Sequence, residues 1–74
     1  MLQSIVLDDG IEYLILNDKV IDGIKYTLFA NIKDAEDICF RKTIIQDGEE
    51  YYVGLDDMKE FEKVLFEFNK TLNG

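Results

Sequence analysis

The sequence predicts an α+β domain: a small, curled antiparallel sheet of about five strands, laid out as a meander of hairpins, with one C-terminal amphipathic helix packed on it. Three observations predict it. Asp9-Gly10-Ile11-Glu12-Tyr13, Asp22-Gly23-Ile24-Lys25-Tyr26 and Asp47-Gly48-Glu49-Glu50-Tyr51 repeat one local pattern, an Asp-Gly pair, two residues, then a Tyr. The stretches between these pairs are apolar on alternating positions, with aromatic and β-branched residues prominent. Beyond Asp57 the apolar spacing changes to steps of three and four.

Each element follows in order. Asp-Gly accepts the positive φ angles of a two-residue hairpin turn, and the Tyr then falls early in the outgoing strand. Strands are expected over about 3–7, 12–20, 24–32, 38–46 and 51–55. The second is regular from Glu12 to about Leu16 and continues irregularly toward Ile21. In the third, Tyr26, Leu28, Ala30 and Ile32 share one face, and Thr27, Phe29 and Asn31 the other. Residues 33–37 read as a polar connection, and the fourth strand places Ile38, Phe40 and Ile44 on one face. Several strands are apolar on both faces, so either the helix covers one face and the other is partly exposed, or the sheet curls. A helix is expected over about 57–72, capped by Asp56 or Asp57, with Asp57 and Glu60 spaced as a capping box. Its stripe is Met58, Phe61, Val64, Leu65, Phe68 and Leu72, with Phe66 on the opposite side.

The order of these hairpins, the acidic stretch 33–37, Asp47-Gly48-Glu49-Glu50-Tyr51 and the acidic helix cap resembles the YrzB-like small acidic bacterial proteins. The most specific stretch is QDGEEYYVGLDDMKEFEKVLFEF, Gln46 to Phe68. No activity or catalytic residue is established for that family, so the resemblance implies a fold and leaves function to the residues.

Composition excludes much. The 74 residues carry 16 Asp and Glu, 8 Lys and Arg and no His, a formal charge of −8. One domain, 1–74, is expected at this length. The charge argues against direct binding of nucleic acid or anionic lipid, which need clustered bases. Without His and with Cys39 as the lone cysteine, His-dependent triads, the usual zinc sites and an internal disulfide are all excluded. No EF-hand spacing, metal site or cofactor-binding motif is present, and no Gly-rich phosphate loop. Cys39 falls in a strand with no activating His, and a packing role is expected of it. Residues 1–10 lack a basic n-region and the longest apolar runs are far below a membrane span, so a cytoplasmic protein is expected.

Much of the acid has local structural uses, in turns, the helix cap and the solvated helix face. The acids left over are Asp34, Glu36, Asp37, Glu49 and Glu50. Together with Phe66, an apolar residue outside the stripe, they form the candidate partner-binding set. The expected function is a non-catalytic acidic interaction domain that binds a protein partner, one with a basic surface if the acids take part. The alternative is a phage- or mobile-element-type inhibitor of a nucleic-acid-binding enzyme, such as a defence nuclease, whose carboxylates imitate nucleic-acid phosphates. A homodimer through an unpaired strand edge is a third arrangement.

Overall fold

The computed structural model describes residues 3–73, with side chains through Lys70. Five strands, β1 (Ser4–Val6), β2 (Glu12–Ile21), β3 (Ile24–Asn31), β4 (Asp34–Gln46) and β5 (Glu49–Val53), precede a single helix, α1 (Met58–Asn73). The sheet is an antiparallel meander in the order β1-β2-β3-β4-β5, curled into a half-barrel.

Turn chemistry explains the path. At Asp22-Gly23 both φ angles are positive, 51° and 80°, and at Asp47-Gly48 they are 53° and 79°. These are the type I′ geometries that fit the right-handed twist of paired strands, and Asp with Gly tolerates them best. The first Asp-Gly differs from expectation, because the connection has three residues, Asp8-Asp9-Gly10. There Gly10 N–H donates to the Leu7 carbonyl at 3.0 Å and only Gly10 has positive φ. This is a turn closed by a glycine bulge rather than a two-residue turn.

The irregular passage in β2 is a bulge: the register steps from Ile15↔Phe29 to Asn17↔Leu28, leaving Leu16 extra. The fourth strand begins at Asp34, not Ile38, so the expected polar connection is a correction. The chain turns tightly at Ile32-Lys33, where Lys33 N–H donates to Asn31 Oδ1 at 2.9 Å. The register then jumps from Asn31↔Asp34 to Ala30↔Ile38, leaving residues 35–37 as a wide bulge inside β4. β5 also starts two residues earlier than expected, because a two-residue turn places Glu49 directly opposite Gln46.

Each face of the sheet has its own core. On one, Ile21, Tyr26, Leu28 and Phe40 meet Val64 and Phe68 of α1, with Leu55 and Leu65 at the margin. On the other, Leu7, Tyr13 and Phe29 pack with Ile5, Ile15, Cys39 and Tyr52. Phe29 is 0% exposed, and the rings of Tyr13 and Tyr52 meet it edge-on at 6.2 and 5.2 Å. The predicted faces of β3 therefore hold, except that Ile32 lies in the turn. The helix stripe holds at Val64, Leu65 and Phe68 and at Phe61, which is 38% exposed but meets the buried Phe40 ring edge-on at 5.8 Å, while Met58 at its start is exposed. Leu72 lies outside the described side chains.

Two buried hydroxyls, Thr27 Oγ1 and Thr43 Oγ1, have no hydrogen-bond partner among the described residues. A buried hydroxyl without a partner costs about 1–3 kcal/mol. Thr27→Val, which keeps the shape, should therefore raise unfolding stability by about 1 kcal/mol in urea melts, and a loss would show the hydroxyl to be satisfied. Phe68→Ala should cost about 3–5 kcal/mol in the same assay. Phe66→Ala, on the outer helix face, should stay within about 0.5 kcal/mol.

Candidate functional site

The N-terminus of α1 is fixed to the sheet by one carboxylate. Asp57 caps the helix, its Oδ1 accepting the Glu60 N–H at 2.9 Å. Glu60 reaches back, as the capping-box spacing predicts, but takes the Asp56 N–H at 2.6 Å instead of that of the cap residue. It also accepts the Tyr26 hydroxyl at 2.7 Å and pairs with Lys42 Nζ at 3.2 Å, which in turn reaches Asp56 at 2.9 Å. The Lys42 and Glu60 side chains are 13% and 15% exposed, so this pair is shielded from water. The Asp56 N–H, followed by the Tyr26 hydroxyl and Lys42, holds the Glu60 carboxyl below its ordinary value. Burial, with the Glu60 hydrogen bond second, pushes the Tyr26 phenol up to about 12. The network positions the helix, its groups occupied with one another, and Tyr26, Asp56 and Glu60 also line an open recess of about 320 Å³ together with Ile24, Asp57, Lys59 and Lys63.

Placing the helix here leaves an open groove beside it. β5 pairs with β4 only from Lys42↔Val53 to Gln46↔Glu49, and then the chain leaves at Gly54 toward the helix cap. The first half of β4 thus has β3 on one side and no strand on the other. A groove of about 340 Å³ follows this edge, floored by Ile38 to Arg41 and walled by Leu55, Asp57, Met58 and Phe61. Ile38, Met58 and Phe61 are exposed, with Met58 at 66%.

Alternation along the strand decides which backbone groups are free. Gln46 and Glu49 flank a two-residue turn and so form a hydrogen-bonded pair, which directs the even-numbered residues of β4 toward the β5 side. The N–H and C=O groups of Ile38 and Phe40 therefore point into the groove. The Phe40 carbonyl accepts a bond at 3.1 Å from Arg41 Nη1, a side chain bending back over its own strand.

The candidate set from sequence does not form one surface. Asp34, paired with Asn31 at the start of β4, and Glu36 and Asp37 in the bulge that follows are exposed next to the groove. Asp34 Oδ1 accepts the Glu36 N–H at 3.1 Å, and Asp37 Oδ2 accepts from Asn31 Nδ2 at 3.2 Å. Glu49 and Glu50 begin β5 alongside the far end of β4, paired with Gln46 and Ile45, about 30 Å away at strand rise. Glu49 accepts the Tyr51 hydroxyl at 2.8 Å, which raises the Tyr51 phenol. Phe66 is 61% exposed on the outer helix face, with Lys70 Nζ 5.1 Å from its ring centroid. Cys39 is half-buried and burial pushes its thiol up, which keeps it protonated and a poor nucleophile.

The groove residues Ile38, Leu55, Met58 and Phe61 were missed as a site. The available signal was a length mismatch, since a long β4 and a five-residue β5 about one tight turn must leave part of β4 unpaired. Among the described residues, no three or more His, Cys, Asp or Glu side chains come together to hold a metal ion, and no helix is long and apolar enough to cross a membrane. Comparison with protein-family models, with curated proteins and with solved structures finds no match to this chain.

A carboxyl held low in the fold contributes stability above its unfolded value, lost as pH falls through the folded value. For Glu60 that loss begins as pH drops below about 4.5, the ordinary value, and continues beneath it. The urea midpoint of the wild type should fall more steeply between pH 5 and pH 3 than that of Glu60→Gln. Parallel curves would remove Glu60 from the account.

Proposed function

We propose that this chain is a non-catalytic protein-interaction domain that works in the cytoplasm, with the groove between β4 and the first turn of α1 as its main contact surface. The observation that carries the reading is the group of exposed apolar side chains, Ile38, Met58 and Phe61, beside a stretch of strand edge that β5 leaves unpaired. Apolar side chains ringed by polar ones are the usual composition of a contact patch. Asp34, Glu36 and Asp37 supply an acidic margin to it. Glu49, Glu50 and Phe66 lie on other parts of the surface and are secondary candidates. The groups of the groove that can titrate support the non-catalytic reading, because Asp57 is engaged as the helix cap and the Cys39 thiol is raised. Kinship with the YrzB-like proteins belongs to the same proposal and rests on the stretch from Gln46 to Phe68.

The second reading, inhibition of a nucleic-acid-binding enzyme by phosphate mimicry, is favoured by one arrangement. Asp8 and Asp9 of the first turn lie at the same end of the sheet as Asp34, Glu36 and Asp37, and all five are exposed. Salt separates the readings. An interface made of carboxylates alone weakens sharply as the screening length shrinks, and an apolar groove does not.

Partner capture from the host lysate tests the proposal. Wild type, Met58→Glu and Phe66→Ala should all fold, since both side chains are exposed. Met58→Glu is expected to lose the specific partner and Phe66→Ala to keep it, in both low and high salt. Identical sets of retained proteins for wild type and Met58→Glu would sink the groove as the contact surface.

A further inference from the structure

We propose that the groove binds its partner by strand addition: an extended, basic segment pairs with the open edge of β4 and continues the line of β5. The inference rests on the interaction reading above and assigns the chemistry of the partner.

Three features specify the occupant. The backbone comes first. The N–H and C=O groups of Ile38 and Phe40 form a short ladder with no partner strand, which is the template that edge-pairing peptides use. The Phe40 carbonyl is occupied only by Arg41 Nη1, so an incoming N–H displaces a flexible side chain and no structural bond. The other open stretch, in β2 beyond its pairing with β1, offers less. Its bulge at Leu16 breaks the register, and the Asp18 N–H there is taken by Asn17 Oδ1 at 2.9 Å.

Side-chain pattern comes second. A residue paired with Ile38 or Phe40 points to the helix side, where Leu55, Met58 and Phe61 wall the groove. Alternate residues of the segment must therefore be apolar. Charge comes third. Running antiparallel to β4, the segment carries its C-terminal end past Asp37, Glu36 and Asp34, while Asp57 flanks it on the helix side. Arg41 is the one basic residue lining the groove, and Lys42 is already held by Asp56 and Glu60. Lys or Arg following the apolar positions complements this margin.

A second copy of this chain fits less well. β5 stands beyond β4 on the same side as the groove. Two β4 strands paired about Cys39 would each drive the partner copy's β5 into residues 34–36 of the other. A detached, extended segment meets no such obstacle.

The probe is the synthetic peptide Ac-TVTVKK-NH2, titrated into the isotopically labelled protein and followed by amide NMR. Chemical-shift changes are expected at Ile38 and Phe40, at Leu55 and at Met58, together with slowed hydrogen exchange at the Ile38 and Phe40 amides. Replacing both lysines by glutamates should weaken binding about tenfold at low salt, the scale of two exposed ion pairs. N-methylation of both valines removes the donors of the ladder without touching the protein and should abolish binding. Arg41→Gln should tighten binding of the lysine peptide, because it frees the Phe40 carbonyl and removes a like charge. Equal binding of the methylated and unmethylated peptides would overturn strand addition. So would shifts confined to Phe66 or to β2, or a dimer in light scattering that Met58→Glu dissolves. If the peptide shifts nothing while Met58→Glu still loses the captured partner, the interaction reading stands and strand addition falls. If the peptide seats on the edge while capture is indifferent to Met58→Glu, strand addition stands as chemistry and the groove loses its assigned role in capture.

Discussion

The central strand, β3, is buried on both faces, and most of the architecture follows from that. Residues 26–30 are all buried in sequence, so the two faces each need a cover. One short chain supplies only one helix among the described residues, and α1 takes the face of Tyr26 and Leu28. The Phe29 face has to be closed by the sheet itself. β5 lies two strands from β3, about 10 Å in a flat sheet. The Tyr52 ring nevertheless comes within 5.2 Å of Phe29, and Leu7 and Tyr13 reach it from the other edge. Curling is how a sheet with one helix buries a strand that is apolar on both sides. The bulge at Leu16 contributes, since an extra residue bends its strand and increases the local twist.

The second constraint is polar. The helix has its apolar stripe to hold it down, but a stripe alone fixes neither rotation nor the height of the helix along the sheet. Glu60 adds a specific answer, because its two oxygens take a backbone donor before the helix, a phenol from β3 and an ammonium from β4. By contrast Lys63 with Asp22 and Lys70 with Glu67 pair at the exposed surface, where such contacts contribute little. With the first turn of α1 tied to Tyr26 and Lys42, the chain has to leave β5 at Gly54 and climb over the sheet. That climb is what strips the first half of β4 of a partner strand, so the open edge is a consequence of the same contacts that secure the helix.

Local chemistry was legible in the sequence and register was not. Asp22-Gly23 and Asp47-Gly48 announce their turns because the backbone conformation they need is tolerated by few residues. Asp57 and Glu60 announce the cap for a similar reason, and Val64 with Phe68 gives the helix its buried side. The first turn was misjudged because Asp9-Gly10 is preceded by Asp8, and a three-residue turn with a glycine bulge uses the same pair. The start of β4 was misjudged because Asp34, Glu36 and Asp37 look like loop residues. They lie in a strand made irregular by a bulge, where polar side chains bond the backbone of their neighbours. The groove depends on the relative lengths of β4 and β5, a relation between elements that no single stretch of sequence carries.

The distribution of acid along the sheet's outer side is the last step. A strand edge left bare invites unwanted pairing, and charge placed on it is one defence. β5, the true edge strand, begins with Glu49-Glu50, and the bulged start of β4 holds Asp34, Glu36 and Asp37. Between these two guarded stretches lie Ile38 to Arg41, apolar on the helix side and defended only by a guanidinium bent onto a carbonyl. A chain of net charge −8 repels its own copies and other acidic proteins from that gap, while drawing basic segments toward it. On the strand-addition proposal, the acidity that looks at first like a statement about nucleic acid filters which strands reach the backbone of Ile38 and Phe40, where only the Phe40 carbonyl is already engaged, by Arg41.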